Sequence, residues 1–352
     1  MKVKDICELI NGRAFKPSEW GCEGLPIIRI QNLNDISAPF NYYSGNYNPI
    51  HEVNDGELLF SWSGTPGTSF GAFRWCRGKG ILNQHIFRVL PKVQVDKEYL
   101  RYALNGNLNS IIAKAHGGVG LQHITKKELD EIEVPMPSLE KQLSIVREIN
   151  LIESVIDCRK QQLHKYEMLI KARFVEMFGD PIRNTQNRPT TNFINIVMMQ
   201  RGFDLPVQER QQDGSIPVFG SNGALDHHNV AKVHGGGVIT GRSGTIGKVY
   251  YTEGDYWPLN TSLFSIDTHG NNIIYLAYLL MLYDLSRFTE GTGVPTLNRN
   301  KFHNKPIIDV PLEEQIVFAN FVKQVDKSKV VIQKALDEAQ LLFDSLMQQY
   351  FG

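Results

Sequence analysis

The stretch from Gln142 to Gly179 returns, almost position for position, as Gln315 to Gly352, and this repeat constrains the chain more than any other feature. In the first copy the apolar residues Ile145, Ile149, Ile152, Ile156, Leu163, Tyr166, Ile170 and Met177 follow the steps of three and four that keep one helix stripe facing a partner. The second copy offers Phe318, Val322, Val325, Ile332, Leu336, Ala339, Phe343 and Tyr350. Phe318 lies 173 residues after Ile145, and the same step carries Leu163 onto Leu336 and Ile170 onto Phe343. The register does not slip. That step also carries Gln142 onto Gln315 and Phe178-Gly179 onto Phe351-Gly352.

One such stripe is ordinarily a core helix. Two in register over about ten turns, each spanning roughly 50 Å, are too long for the core of a small domain and predict a two-helix rod. Arg159, Arg173 and Lys329 on the seams would be costly inside a globule, whereas on a rod they reach water. Antiparallel packing is the more economical, since it spares the second head from carrying the chain back along the whole rod.

A chain of 352 residues, 42% hydrophobic and 10% aromatic, holds two or more ordinary globular domains with a sizeable core. Its formal net charge of zero excludes a global attraction to nucleic acid or to an anionic membrane, so any DNA contact must come from local clusters. Cys7, Cys22, Cys76 and Cys158 are scattered, without a C-x-x-C pair, and read as reduced thiols. Charged residues interrupt Met1 to Ile10, and no apolar run reaches membrane-spanning length. A cytoplasmic protein without membrane contact is expected.

Ahead of each rod helix lies a head of short strands. In the first, Leu25 to Ile30, Glu57 to Trp62 and Ile86 to Leu90 read as strands, and Lys97 to Ala115 as a helix weakened by Gly106. A glycine loop at Gly117 to Gly120 follows, then Pro135, Pro137 and the candidate N-cap Ser138. Gly179-Asp180-Pro181 ends the first rod helix, and Arg183 to Asn192 reads as a linker. The second head, roughly Phe193 to Pro311, echoes the first. Pro217 to Phe219 answers Pro26 to Ile28, Gly237 to Arg242 answers Gly56 to Trp62, and Ser243 to Gly247 answers Ser63 to Gly67. Asn260 to Ile266 answers Asn83 to Val89, Ile274 to Tyr283 the Lys97 helix, and Gly291 to Val294 the glycine loop. The expected class is α+β: two small mixed α/β heads (1–137 and 181–311) joined by two long antiparallel coiled-coil helices (138–180 and 312–352), a pseudo-two-fold internal repeat.

Catalytic signatures fail in turn. Gly241 to Lys248 resembles a phosphate-binding loop, but Arg242 stands where a glycine is required and Val249 where a magnesium-binding hydroxyl belongs. No H-E-x-x-H pair occurs, and Asn48-Pro49-Ile50 lacks the continuation of an amino-methyltransferase motif. His85, His116, His123, His227, His228 and His234 are too scattered to suggest a metal site.

Recognition chemistry remains. Polar and basic residues gather near predicted turns: Arg29, Gln31, Asn32, Ser61, Ser63 and Thr65 in the first head, and Arg201, Ser221, Asn222, Arg242, Ser243, Thr245 and Lys248 in the second. Arginine, asparagine and glutamine can pair with purine edges in the major groove, while hydroxyls, lysine and backbone amides hold phosphates. Basic residues outnumber acidic ones in Arg74 to Arg101 and in Arg287 to Lys305, which suggests a DNA-facing side in each head.

Together, the head carrying Arg242 to Lys248, the Glu140-Lys141-Gln142 and Glu313-Glu314-Gln315 approaches, and the long helix ending Phe178-Gly179-Asp180-Pro181 resemble the specificity subunit of type I restriction-modification systems. The resemblance covers essentially the whole chain. One departure is that Trp62 and Pro66 of the first head stand where the second has Arg242 and Ile246. The resemblance implies a non-catalytic subunit with two target recognition domains, each reading half of a split sequence in double-stranded DNA. It also implies helices that space the domains and dock two methyltransferase (modification) subunits, with a translocating restriction subunit joining them. S-adenosylmethionine, ATP and Mg would belong to those partners, leaving this chain without a cofactor or metal of its own. A rod of this length suits major grooves about one turn (~34 Å) apart. A coiled-coil adaptor that binds no DNA is the alternative; an autonomous DNA-modifying enzyme is disfavoured by the missing motifs.

Overall fold

The computed structural model describes residues 1–65, 68–113, 116–118, 121–291 and 295–352. Expectations resting on Pro66, Gly67, Val119, Gly120, Thr292, Gly293 and Val294 lie outside the described residues, as does the side chain of His116. Contacts divide the chain into two compact units, one of Met1–Cys158 with Ala335–Gly352, the other of Arg159–Lys334. Each unit combines one head with part of both long helices.

In the first unit an antiparallel sheet runs in the order Cys7–Asn11, Ile86–Pro91, Leu58–Ser61, Gly71–Arg74. A second sheet has the order Asn41–Tyr43, Leu25–Ile28, Gly80–Leu82, Glu52–Val53, its central pair parallel with Ile27 opposite Ile81. The helix Lys97–Gly106 starts where the Asp96 carboxylate accepts the Tyr99 amide, and it buries Tyr99, Leu100, Tyr102, Ala103 and Leu104. That face shares one core with Leu9, Phe60 and Val89 of the sheet and with Ile145, Ile149 and Phe351 of the long helices.

The second unit repeats the plan. Its antiparallel sheet runs Met198–Arg201, Ser262–Asp267, Gly237–Gly241, Val249–Thr252. Ile216–Gly220 pairs with Gly223–His228 and, in parallel, with Trp257–Pro258, as Leu25–Ile28 does with Gly80–Leu82. The helix Ile273–Tyr283, capped by the Asn272 side chain, closes a core with Ile170, Phe174, Phe178, Phe318 and Val322.

The two long helices are Leu139–Phe178 and Leu312–Phe351, each of 40 residues. At a rise of 1.5 Å per residue each is about 60 Å long. All the seam residues named above are buried or half-buried. Within the second unit Phe178 and Phe174 meet Phe318 at 5.7 and 5.4 Å between ring centroids, and Arg173 lies 5.9 Å from Phe321. Within the first, Tyr350 donates to Glu148 Oε2 at 2.7 Å, while Glu153 shares a cleft with Phe343 and Asp344. Moving forward along one helix therefore moves backward along the other, an antiparallel pairing in both units. The burial is uneven. Ile149, Phe174, Phe178, Phe318 and Val322 are sealed in head cores, whereas Ile152, Leu163, Ile332 and Leu336 are half-buried and rod-like. Arg159, Arg173 and Lys329 do stay partly in water, next to Gln162, Glu176 and Asp326 respectively.

A buried glutamine fastens each long helix to its head. Gln142 accepts the Asp96 backbone N–H at 3.0 Å and donates to Pro137 O at 2.9 Å. Gln315 accepts the Asn272 N–H at 2.8 Å and donates to Val310 O at 2.8 Å. Both thus bind the N-cap of the head helix and the carbonyl just before the long helix, so every polar atom buried there finds a partner. Ser138 caps the first long helix as expected, accepting the Lys141 amide at 3.4 Å, and Gly179 closes it at φ +80°.

Several local expectations need correction. Leu25–Ile28 stops short of Ile30, because Asn32 Oδ1 takes the Arg29 amide and starts the short helix Ile30–Asn34. The helix expected over Lys97 to Ala115 breaks, within the described residues, into Lys97–Gly106 and Leu108–Ala113, and Lys114 and Ala115 lie outside them. Gly106 sits where a Cβ would stand 2.5 Å from that of Phe351, so its glycine serves a close approach. Gly117 and Gly118, expected as loop, belong to the strand His116–Gly118, which pairs with Leu121–His123. The expected linker is built: Asp180 Oδ1 accepts the Ile182 and Arg183 amides, Arg188 pairs with Glu314 at 2.9 Å, and Thr190–Asn192 pairs with Pro306–Ile308. Finally, the sheet ladders match Ile86 with Ser262, one residue away from the match of Asn83 to Asn260. A slip of one turns every side chain to the opposite face of a strand.

Candidate nucleic-acid interface

Three of the side chains nominated in the first head face inward. Ser61 is fully buried and donates to Ser63 O at 3.0 Å, Ser63 is itself buried, and Asn32 is spent on Ala38 O, Pro39 O and the Arg29 amide. Arg29 lies over Trp20 and donates to Asn41 Oδ1 at 3.1 Å. Gln31 and Thr65 remain exposed. In the second head Arg201, Asn222 and Lys248 are exposed, and Ser221, Arg242, Ser243 and Thr245 are half-buried. Here the structure gathers two predicted turns. A Cβ added at Gly241 would strike Thr245 O and approach Ser221 O at 3.1 Å, so the Ser221–Asn222 tip lies against the turn that follows Gly241.

The two basic stretches fare differently. In the first head Arg74 pairs with Glu98, Lys79 with Glu52, Arg88 with Glu57 and Arg101 with Glu98, while Arg77 binds the carbonyls of Asn32, Asp35 and Ala38. The excess of positive charge there is consumed by the fold. In the second, Arg287 stacks on Tyr283 and Phe288 and Lys301 meets Glu290, but Arg299 pairs with no carboxylate among the described residues.

One backbone frame recurs in both heads and opens a cleft in each. In the first, the Ile124 amide donates to Trp62 O, the Trp62 amide to His85 O, and the Gly12 amide to Ile86 O. In the second, the Leu297 amide donates to Arg242 O, the Arg242 amide to Thr261 O, and the Gly202 amide to Ser262 O. Asn11 pairs with Phe87 as Arg201 pairs with Leu263, and His123 with Ser63 as Thr296 with Ser243. Thr125 and Asn298, which follow, are both N-caps. The frames superpose by hydrogen bond, and the side chains on them do not agree.

The first-head cleft, about 440 Å³, is lined by Asn11, Trp62, Phe87, His123 and Lys126. Trp62 stacks on Phe87 at 5.8 Å, approaches His85 at 4.7 Å and His123 at 6.2 Å, and donates its indole N–H to Asn11 Oδ1 at 2.9 Å. His85 and His123, scattered in sequence, are thus brought within 6.4 Å. Burial, and then the neighbouring His123, hold the His85 pKa below its ordinary value, so it stays a neutral ring. This cleft is mostly apolar, with Trp62 and Phe87 offering aromatic faces.

The second-head cleft, about 350 Å³, is lined by Arg201, Arg242, Thr296, Asn298, Arg299 and Asn300 above Leu263 and Leu297. Arg242 Nε is fixed on Asn260 O at 3.0 Å. Asp204, on the neighbouring wall with Arg201 and Arg299, accepts from the Asn260 amide. Sequence reasoning missed Asn298, Arg299 and Asn300; the signal available was Arg299's place one residue beyond an Asn cap, matching Lys126 beyond Thr125.

Two copies of one mixed α/β unit, each with a cleft of its own chemistry on a shared frame, define a duplicated module. The family model described as type I restriction modification DNA specificity domain matches residues 1–167 and 188–340, and the chain belongs to that family. It is similar to the EcoBI type I restriction enzyme specificity subunit of Escherichia coli, 27% identical over 174 residues, 49% of this chain and 35% of that protein. To the putative MjaX specificity subunit of Methanocaldococcus jannaschii it is 28% identical over 162 residues, 46% of this chain and 37% of the relative. The matched stretch thus spans little more than a third of either relative. In fold it resembles the crystal structure of the type I restriction-modification system S subunit from M. genitalium, with a TM-score of 0.59 and 15% identity over 100% of this chain and 95% of that one. A structure from work on complex assembly and conformational transition of the type I R-M system gives a TM-score of 0.57, again at 15% identity, over 100% of this chain and 96% of that one.

Proposed function

We propose that this chain is the sequence-reading, non-catalytic subunit of a type I restriction-modification complex, each head reading one half of a split target in double-stranded DNA. The observation that carries the reading is the pair of equivalent clefts: an identical scaffold with unlike side chains is what two half-sites of unlike sequence require. Two methyltransferase subunits are the proposed partners on the long helices, with a translocating nuclease subunit joining them. The support is an exposed apolar set that repeats as the seam does. Leu143 and Ile316, Met168 and Leu341, and Leu169 and Leu342 are equivalent pairs, and all six side chains are exposed. The first unit therefore presents Leu143, Leu341 and Leu342 where the second presents Ile316, Met168 and Leu169. Two copies of one partner would need two copies of one surface. On this reading S-adenosylmethionine, ATP and Mg are held by the partners, and the assembly acts in the cytoplasm. No helix among the described residues is long and apolar enough to cross a membrane.

Gel shifts of the full chain against random duplex pools, with and without a co-expressed methyltransferase, test the reading. Selection of one split sequence is expected. Persistent absence of selection, with the partner present, would leave a coiled-coil adaptor as the better account.

A further inference from the structure

Arg201 ends the strand Met198–Arg201, Arg242 follows the strand Gly237–Gly241, and Arg299 opens the short turn Arg299–Lys301, yet all three line one cleft. Among the described residues none of them pairs with a carboxylate, in a chain whose formal net charge is zero and whose first head pairs Arg74, Arg88 and Arg101 with glutamates. Asp204 is the one acid on the neighbouring wall, and Asn260 engages it. Three arginines lining one cleft without a paired carboxylate leave positive charge there uncompensated. Such an arrangement is stabilised by a group with acceptor atoms placed side by side, which the planar guanidinium fork grips in two places at once. Arg242, with its Nε committed to Asn260 O, holds its fork in a fixed direction. Asn298 and Asn300 add amide donors at the rim.

We propose that this cleft is the anchoring site of the second head for a paired-acceptor group of DNA, either a backbone phosphate or the O6/N7 edge of a guanine, and that the first head has no counterpart. The inference rests on the DNA-reading function proposed above and deepens it. The equivalent positions of the first head are Asn11, Trp62 and Lys126, and Trp62 lies among Phe87, His85 and His123. A stacked indole has no paired donors to offer. The two halves of the target are therefore held by unlike chemistry: charge-assisted on the second head, and by stacking and apolar contact on the first.

The test uses the full chain co-purified with its methyltransferase and the duplex that the wild type selects, with binding measured over a series of salt concentrations. Arg242→Ala and Arg299→Ala are each expected to weaken binding about ten- to a hundred-fold. Should the group be a phosphate, the slope of log affinity against log salt falls by about one, the loss is uniform across sequences, and Arg299→Lys restores much of it. Should it be a guanine edge, preference relaxes at a single position in the half read by the second head, and Arg299→Lys restores little. Unchanged unfolding midpoints guard against a trivial loss of fold. Variants that bind, select and respond to salt like the wild type overturn the assignment while leaving the DNA-reading function intact. A change confined to the half read by the first head overturns it too. A wild type that selects no sequence brings down both.

Discussion

His303 shows how much a single ring can be asked to do without touching a ligand. It is buried, and its Nε2 accepts the backbone N–H of Met199 at 3.2 Å, which only a neutral imidazole can do. Burial, and then the charge of Arg299, hold its pKa below the ordinary value near 6.5. With the folded pKa depressed, the unfolded chain takes up protons first as the pH falls. The contribution to stability is complete above the ordinary value and drains away below it. His85 carries the same sign in the first unit. Urea unfolding of the full chain between about pH 7.5 and 5 is expected to show a falling midpoint, and His303→Gln, which keeps an acceptor but does not titrate, should flatten the fall. An equal fall in the variant would show that the acid sensitivity lies elsewhere. Of the nominated contact residues, Ser61, Ser63 and Asn32 were misplaced for a common reason. Small polar residues next to turns serve the turn's own backbone as readily as a ligand, and composition does not distinguish the two uses.

Among elements, the glutamine clamps decide how a long helix leaves its head. Replacing Gln142 or Gln315 by Leu leaves a buried amide and a buried carbonyl unpaired, at a cost of about 2–4 kcal/mol. Urea denaturation of the single variants should show it. Gly106 makes the opposite point about propensity. In an open helix Gly→Ala would stabilise by roughly 1 kcal/mol, but a Cβ here would stand 2.5 Å from the Cβ of Phe351. Gly106→Ala is therefore expected to lower the unfolding midpoint, with overpacking of about 1–3 kcal/mol, and a raised midpoint would contradict the packing described. The rod helices and the echo of one head in the other were legible in the sequence because period and register survive in the residues themselves: Ile145, Ile149, Phe318 and Val322 sit as the 173-residue step says. The cleft frame was legible only in part. Lys126 and Arg299 stand one 173-residue step apart, as the seams do, and Trp62 and Arg242 align through the motifs beside them, but Phe87 with Leu263, 176 residues apart, emerges only from ladder pairing, because the intervening loops differ in length and a slip of one inverts a strand.

For the whole molecule, the duplication makes two expectations modular. Exchange of residues 1–137 for another head of this family should alter one half of the recognised sequence only, as read from methylation maps of cells carrying the hybrid; altered bases in both halves would count against independent reading. On the proposed assembly with two methyltransferases, charged replacements at Leu341 and Leu342 should reduce their number in the purified complex from two to one, measured by native mass spectrometry. Retention of both copies would move the docking surface elsewhere.

Because the first unit is completed by Ala335–Gly352, its packing cannot finish until the whole second head and most of the second long helix have been made. Tyr350 reaches Glu148 across 202 residues of sequence, and Phe351 fills a hydrophobic gap beside Tyr99. A ribosome must deliver everything in between before that gap closes, so the first half emerges with an oily flank waiting. Nascent chains stalled before Leu312 should be bound by chaperones and cut by proteases far more readily than chains that already include the helix Leu312–Phe351.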